Sequence, residues 1–180
     1  MNEYLKSNHL EFKLVEEEDA NFILELRGSN NLNKYLSKTD IDLQSQKNWI
    51  KNYKKKEAEK LEFYFRIDKK DQEQLGFVRI YDIDYSKKTF TWGSWIIKEG
   101  RPPFSALESA LIIYEYAFYK LKLEKAIFDV RKDNIGVIKF HKRFGAIKIS
   151  EDELNEYFEL PKKEYEKQKA ENYNQYLTEK

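Results

Sequence analysis

Two stretches of the chain concentrate side chains that could do chemistry. The first runs from a strand end at Ile97 through the loop Lys98-Glu99-Gly100-Arg101-Pro102-Pro103-Phe104 into a helix starting near Ser105. Such a junction suits an anion, because the first N–H groups of a helix are unpaired and point outward. Arg101 adds a positive charge there. The second stretch is Val130 to Gly145, with Asn134 and His141 among the basic residues Arg131, Lys132, Lys139, Lys142 and Arg143. Asn134 reads as a helix N-cap, a position where asparagine ranks among the best residues. His141, alone on the face of the following helix, reads as a partly buried structural group. The basic run is a solvated face whose charge also favours a phosphate. The chain has no cysteine, which excludes disulfides, thiolate metal sites and a cysteine nucleophile. Its two histidines, His9 and His141, lie far apart, so no metal site is expected.

These residues must be positioned by one domain's worth of structure. With 180 residues the chain is long enough to bury a core. Lysine and arginine total 33 against 32 aspartates and glutamates, and a net charge of +1 argues against gripping nucleic acid or an anionic membrane. No segment reaches the roughly 18 consecutive apolar residues of a membrane helix. The N-terminus lacks a signal-peptide pattern, so the expectation is a cytoplasmic protein.

Leu10, Phe12 and Leu14 alternate with polar residues and predict a first strand. An acidic cluster, Glu16 to Asp19, opens a helix that Gly28 ends, and a loop with Asn30, Asn31 and Asn33 follows. Asp42 is placed to cap a second helix with the face Leu43, Gln46, Ile50 and Tyr53. Three strands near Phe63 to Ile67, Leu75 to Ile80 and Thr89 to Ile97, joined by polar turns, predict an antiparallel meander. Leu107, Ala110, Leu111, Tyr114, Ala117, Phe118 and Leu121 mark a helix, with Ser105-Ala106-Leu107-Glu108 as its capping box. A strand Ala126 to Val130, a helix Asn134 to Phe144 stopped by Gly145, and an extended Ala146 to Ile149 complete the order. The fold class is α+β, one mixed sheet in a single unit. Residues 1–160 form the domain. Residues 161–180 form a charged helix or tail, solvated or serving as a homo-oligomer contact.

The pattern Val130-Arg131-Lys132-Asp133-Asn134, then Phe140-His141-Lys142-Arg143-Phe144-Gly145, resembles the Gcn5-related N-acetyltransferase (GNAT) superfamily. Leu10 to Leu14 with Asp19-Ala20 and Leu26-Arg27 is similar to the opening of one branch of it. That branch holds ribosomal-protein N-terminal and amino-sugar nucleotide acetyltransferases. Leu75-Gly76-Phe77-Val78 and Tyr116 to Leu123 also match, so residues 8 to 150 are covered.

The resemblance implies a mostly antiparallel, twisted central sheet flanked by helices, and acetyl-CoA as cosubstrate. It implies that the third meander strand splays from the strand Ala126 to Val130. The pantetheine arm would then pair with the backbone of Trp95, Ile96 and Ile97. Gly100, Arg101, Phe104, Ser105 and Ala106 would hold the pyrophosphate, and Asn134 would bond the pantetheine or anchor the following helix. His141 stands where the family has a tyrosine that protonates the departing thiolate. Histidine is chemically suited to this, with an ordinary pKa of about 6.5. Pro102 and Pro103 depart from the family's glycine-rich loop and remove two N–H donors. Asp82, Asp84 and Glu99 are all candidates for the base that deprotonates the amine. The expected acceptor is a small-molecule amine, preferably a nucleotide-linked amino sugar. A protein N-terminus is the alternative acceptor, and a non-catalytic GNAT-like module is the competing class.

Overall fold

A computed structural model describes residues 3–29, 32 and 42–177 of the chain. The asparagine-rich loop expected at Asn30, Asn31 and Asn33 lies outside the described residues. The apolar alternation at the N-terminus forms strand β1 (Leu10–Leu14), antiparallel to β2 (Phe63–Lys69). β3 (Gln74–Asp84) and β4 (Thr89–Ile97) extend the same antiparallel meander. β5 (Lys125–Arg131) then runs parallel to β4. Two more strands, β6 (Ile147–Glu151) and β7 (Asn155–Pro161), complete a mixed sheet in the order β1-β2-β3-β4-β5-β7-β6.

β7 has no counterpart in the sequence reading. Asn155-Glu156-Tyr157-Phe158-Glu159-Leu160 carries two carboxylates, so its apolar signal is weak. Its place is set by pairing: it lies antiparallel to β5 along that strand's whole length and shields it from β6.

Helices cover the sheet unequally. α1 (Ala20–Gly28) and α2 (Leu43–Ala58) pack Ile23, Leu26, Ile50 and Tyr53 on Tyr64, Phe77 and Ile96 of one face. Asp42 caps α2 as expected, accepting the Ser45 N–H at 2.6 Å. The other face holds α3 (Ser105–Glu115), α4 (Ile135–Arg143) and α5 (Lys162–Gln168). Tyr114 of α3 is fully buried among Trp92, Phe118, Phe144 and Tyr165. Each such large side chain contributes roughly 1.5–3 kcal/mol on burial. Its hydroxyl accepts the Trp92 indole N–H at 3.1 Å, which removes the penalty of an unpaired polar group.

The capping box expected at the start of α3 does not form. Phe104 is the N-cap and makes no side-chain cap bond. Glu108, fully buried, instead accepts from Ser7 Oγ at 2.6 Å and from the His9 N–H at 3.0 Å, with His9 Nδ1 2.6 Å away. Tertiary partners pull the carboxylate away from the helix end and tie the N-terminal segment to α3. The charged stretch after Pro161 folds as α5 and buries Tyr165, whose hydroxyl donates to Glu115 at 2.8 Å.

Candidate active site

β4 and β5 pair only at Thr89 with Lys125 and at Phe90 with Ala126, and then part. The cause lies in β4. Arg79 and Phe77 of β3 stand opposite Gly93 and Ile96, so β4 carries one extra residue, and Ser94 adopts φ +47°. A bulge bends its strand and increases its twist, and a left-handed serine costs about 1 kcal/mol or more. β5 is held on its far edge by β7, so β4 is the strand that turns away. The gap opens into a cleft of about 390 Å³ with Trp95, Asn134 and His141 in its wall.

His141 enters from the last turn of α4, its ring 4.3 Å from Phe128 and 5.2 Å from Trp92, centroid to centroid. Only 5% of the residue is exposed. That burial pushes its pKa down to about 3, so the ring is neutral at physiological pH, with one N–H and one lone pair. Asn134 stands at the N-cap of α4, but its side chain makes no cap bond. Its carbonyl accepts from Val137 and Ile138 instead, leaving the side-chain amide to the cleft.

Three cleft residues hold buried polar atoms with no partner among the described residues: His141 Nδ1, Trp95 Nε1 and Asn155 Oδ1. Buried polar atoms are nearly always paired, so such a cluster marks where a ligand completes the bonding. The side chains of Ile96 and Ile97 are buried on opposite faces of the sheet. Only their backbone is left to the open edge of β4. Unpaired strand edge and orphaned polar atoms together suit an elongated ligand bearing amide groups.

The remaining residues named for the cofactor sit at the end of β4, outside the cleft wall. Gly100 takes φ +71° in the turn, and Arg101 is exposed. The Ser105 N–H is used by the Pro102 carbonyl at 3.0 Å. Ser105 Oγ is buried with no partner among the described residues, at the first turn of α3 beside Ala106. Phe104 stacks on His9 at 4.3 Å, so the Glu108 anchor also props this loop.

None of the three carboxylates considered as bases lines the cleft. Asp84 accepts from Ser86 N–H, Ser86 Oγ and Lys87 N–H in its own turn, and these bonds hold its pKa far below the usual range. Asp82 is exposed in a second bulge at φ +49°, and Glu99 is exposed beyond the end of β4. The sequence reading missed Asp129 and Tyr81, which do line the cleft. Alternation along β5 puts Asp129 on the face opposite Phe128, but only the register shows what it stands against.

The chain matches the acetyltransferase (GNAT) domain family over residues 9–147. No curated protein sequence gives a match. Among solved structures, the apo form of FdhC, a nucleotide-linked sugar GNAT, is 44% identical, with a TM-score of 0.89. The match covers 98% of this chain and 99% of that one. Spermidine N-acetyltransferase from Vibrio cholerae, in complex with CoA and spermine, is 18% identical with a TM-score of 0.72. That match covers 87% of this chain and 97% of the other, and shows the shared fold. A splayed β4–β5 pair with a bulge at its mouth, a family match over most of the chain and a near-full-length relative agree: this chain belongs to the GNAT family and is an N-acetyltransferase.

Proposed function

We propose that this acetyltransferase uses acetyl-CoA to acetylate the primary amine of a nucleotide-linked amino sugar. The observation that carries the acceptor is the 44% identity to FdhC, a nucleotide-linked sugar GNAT. Acetyl-CoA supplies an activated acyl group in its thioester. The open backbone edge at Trp95, Ile96 and Ile97 holds the pantetheine amides, helped by the Asn134 side chain. Arg101 and Ser105 Oγ, with the first turn of α3 at Ala106, receive the pyrophosphate, while Gly100 and Phe104 shape the loop. Two lost N–H donors at Pro102 and Pro103 make Arg101 the more important.

His141 acts from the cofactor side as a neutral donor. Burial leaves too little imidazolium near pH 7 to serve as a strong acid, so its N–H hydrogen-bonds the departing sulfur and stabilises charge there. With no cysteine in the chain, the acceptor amine attacks the thioester directly. We place the reaction in the cytoplasm; among the described residues no helix is long and apolar enough to cross a membrane.

The test is thiol release from acetyl-CoA with a panel of amines, read with a thiol reagent that has no cysteine in this chain to react with. Release is expected with a nucleoside-diphosphate amino sugar. Release with spermidine or a peptide N-terminus, and none with the sugar nucleotide, overturns the acceptor assignment.

A further inference from the structure

The two faces of the splayed sheet differ in chemistry. Phe90, Trp92, Ala126 and Phe128 turn toward α3 and α4, where His141 sits. The alternate residues Thr91 and Gly93 of β4, and Ile127 and Asp129 of β5, turn to the other face. Counting on from the last pair, Phe90 with Ala126, brings Gly93 level with Asp129 across the gap. Gly93 is the residue just before the bulge. The Tyr81 hydroxyl lies over it, 3.0 Å from where a Cβ would stand. Among the described residues lining the cleft, Asp129 is the one carboxylate.

We propose that Asp129 is the catalytic base that takes the proton from the acceptor's ammonium, with Tyr81 as the positioning residue beside it. The inference rests on the acetyl-transfer reading and adds the residue that starts it. The Asp129 carboxylate accepts one proton from R–NH3+, which frees the nitrogen lone pair. That pair forms the C–N bond to the thioester carbonyl, and the C–S bond breaks as the tetrahedral adduct collapses. The nitrogen sheds its second proton in this collapse, and the thiolate held by the His141 N–H receives it. Base and thiolate-stabilising donor thus stand on opposite faces of one gap.

Three strands bring side chains up to Asp129. Tyr157 lies opposite it on β7, Arg131 follows two residues on along β5, and Tyr81 stands across the gap. Burial raises the Tyr81 pKa; Arg79 opposes the rise and Asp129, with Asp82 and Glu62, adds to it. Tyr81 therefore stays a protonated phenol. The Arg79 guanidinium, 4.9 Å from the Tyr81 ring and paired with Glu62 at 2.8 Å, fixes that ring in place.

The test compares wild type with Asp129→Asn, Asp129→Glu and Asp82→Asn. Asp129→Asn should lower kcat by about 100-fold or more near neutral pH, within the usual range for a lost general base. Its rate should recover as pH rises and the acceptor deprotonates unaided, and Asp129→Glu should restore part of the loss. Asp82→Asn, at a position outside the cleft lining, should match wild type. A second readout needs no turnover: calorimetry with the amino-sugar nucleotide and with its hydroxyl analogue, in the absence of acetyl-CoA. Wild type should favour the ammonium, and Asp129→Asn should lose that preference while binding the hydroxyl analogue normally. Unchanged kcat and pH profile in Asp129→Asn, or an unchanged preference, overturns the assignment. Failure of the acceptor reading looks different: wild type then leaves the sugar nucleotide unacetylated. The Asp129→Asn comparison is in that case made on the amine it does acetylate.

Discussion

His141 packs its ring 4.3 Å from that of Phe128, on the inner wall of the gap between β4 and β5. Burial at this contact takes the imidazole out of water and disfavours its charged form.

The linkage to stability follows. The folded-state pKa of about 3 lies below the ordinary 6.5, so the unfolded chain takes up the proton first as pH falls. His141 costs nothing above about pH 6.5 and erodes stability progressively toward pH 3, by up to roughly 5 kcal/mol. His141→Phe should therefore show a shallower fall in Tm between pH 6.5 and 4 than wild type. Parallel curves for the two proteins would refute the buried, neutral ring.

Glu108 is fully buried and serves both Ser7 and His9. Glu108→Ala leaves those donors unmatched and should lower unfolding stability by about 3 kcal/mol, measured in urea. Glu108→Gln, which keeps one acceptor, should lose less. A change below about 1 kcal/mol for the alanine variant would show that this anchor is not needed.

Two glycines separate packing from chemistry. A Cβ on Gly76 would stand 2.1 Å from the Ile96 carbonyl oxygen, so Gly76→Ala forces β3 and β4 apart and should cost roughly 3 kcal/mol. On Gly93 the Cβ meets the Tyr81 hydroxyl at 3.0 Å and ring carbons at 3.6 Å and beyond, a contact that a few tenths of an ångström of displacement relieves. Gly93→Ala should keep its Tm within a few degrees but slow acetylation. Equal losses of Tm in both variants would count against this division.

Arg101 is exposed. Arg101→Ala should leave the Tm of the free protein unchanged and weaken acetyl-CoA binding roughly tenfold, with a reduced salt dependence. Undiminished affinity would mean that the pyrophosphate binds elsewhere.

Much of the fold was legible because its signals are local. The meander came from period-two alternation, and α2 from Asp42 ahead of an apolar face. β7 was not legible, since a strand carrying two carboxylates and inserted between β5 and β6 is defined by its neighbours. The position of His141 came from family pattern, but its charge state depends on Phe128 and Trp92, which only the fold brings to it. Asp129 carried no signal of its own. It became a candidate when the bulge at Ser94 opened the strand pair and the register placed it level with Gly93. The capping box failed for a similar reason: Glu108 has long-range partners in Ser7 and His9 that no local motif reveals.

Acetyl-CoA binding in the gap between β4 and β5 is the claim that calorimetric titration of the whole protein with acetyl-CoA decides. One equivalent should bind per chain, with affinity reduced in Asn134→Ala and in Arg101→Ala. Ligand at 100 times its Kd should add about 2.7 kcal/mol to the stability of the folded state. No heat at two temperatures, together with an unshifted Tm, would contradict the claim.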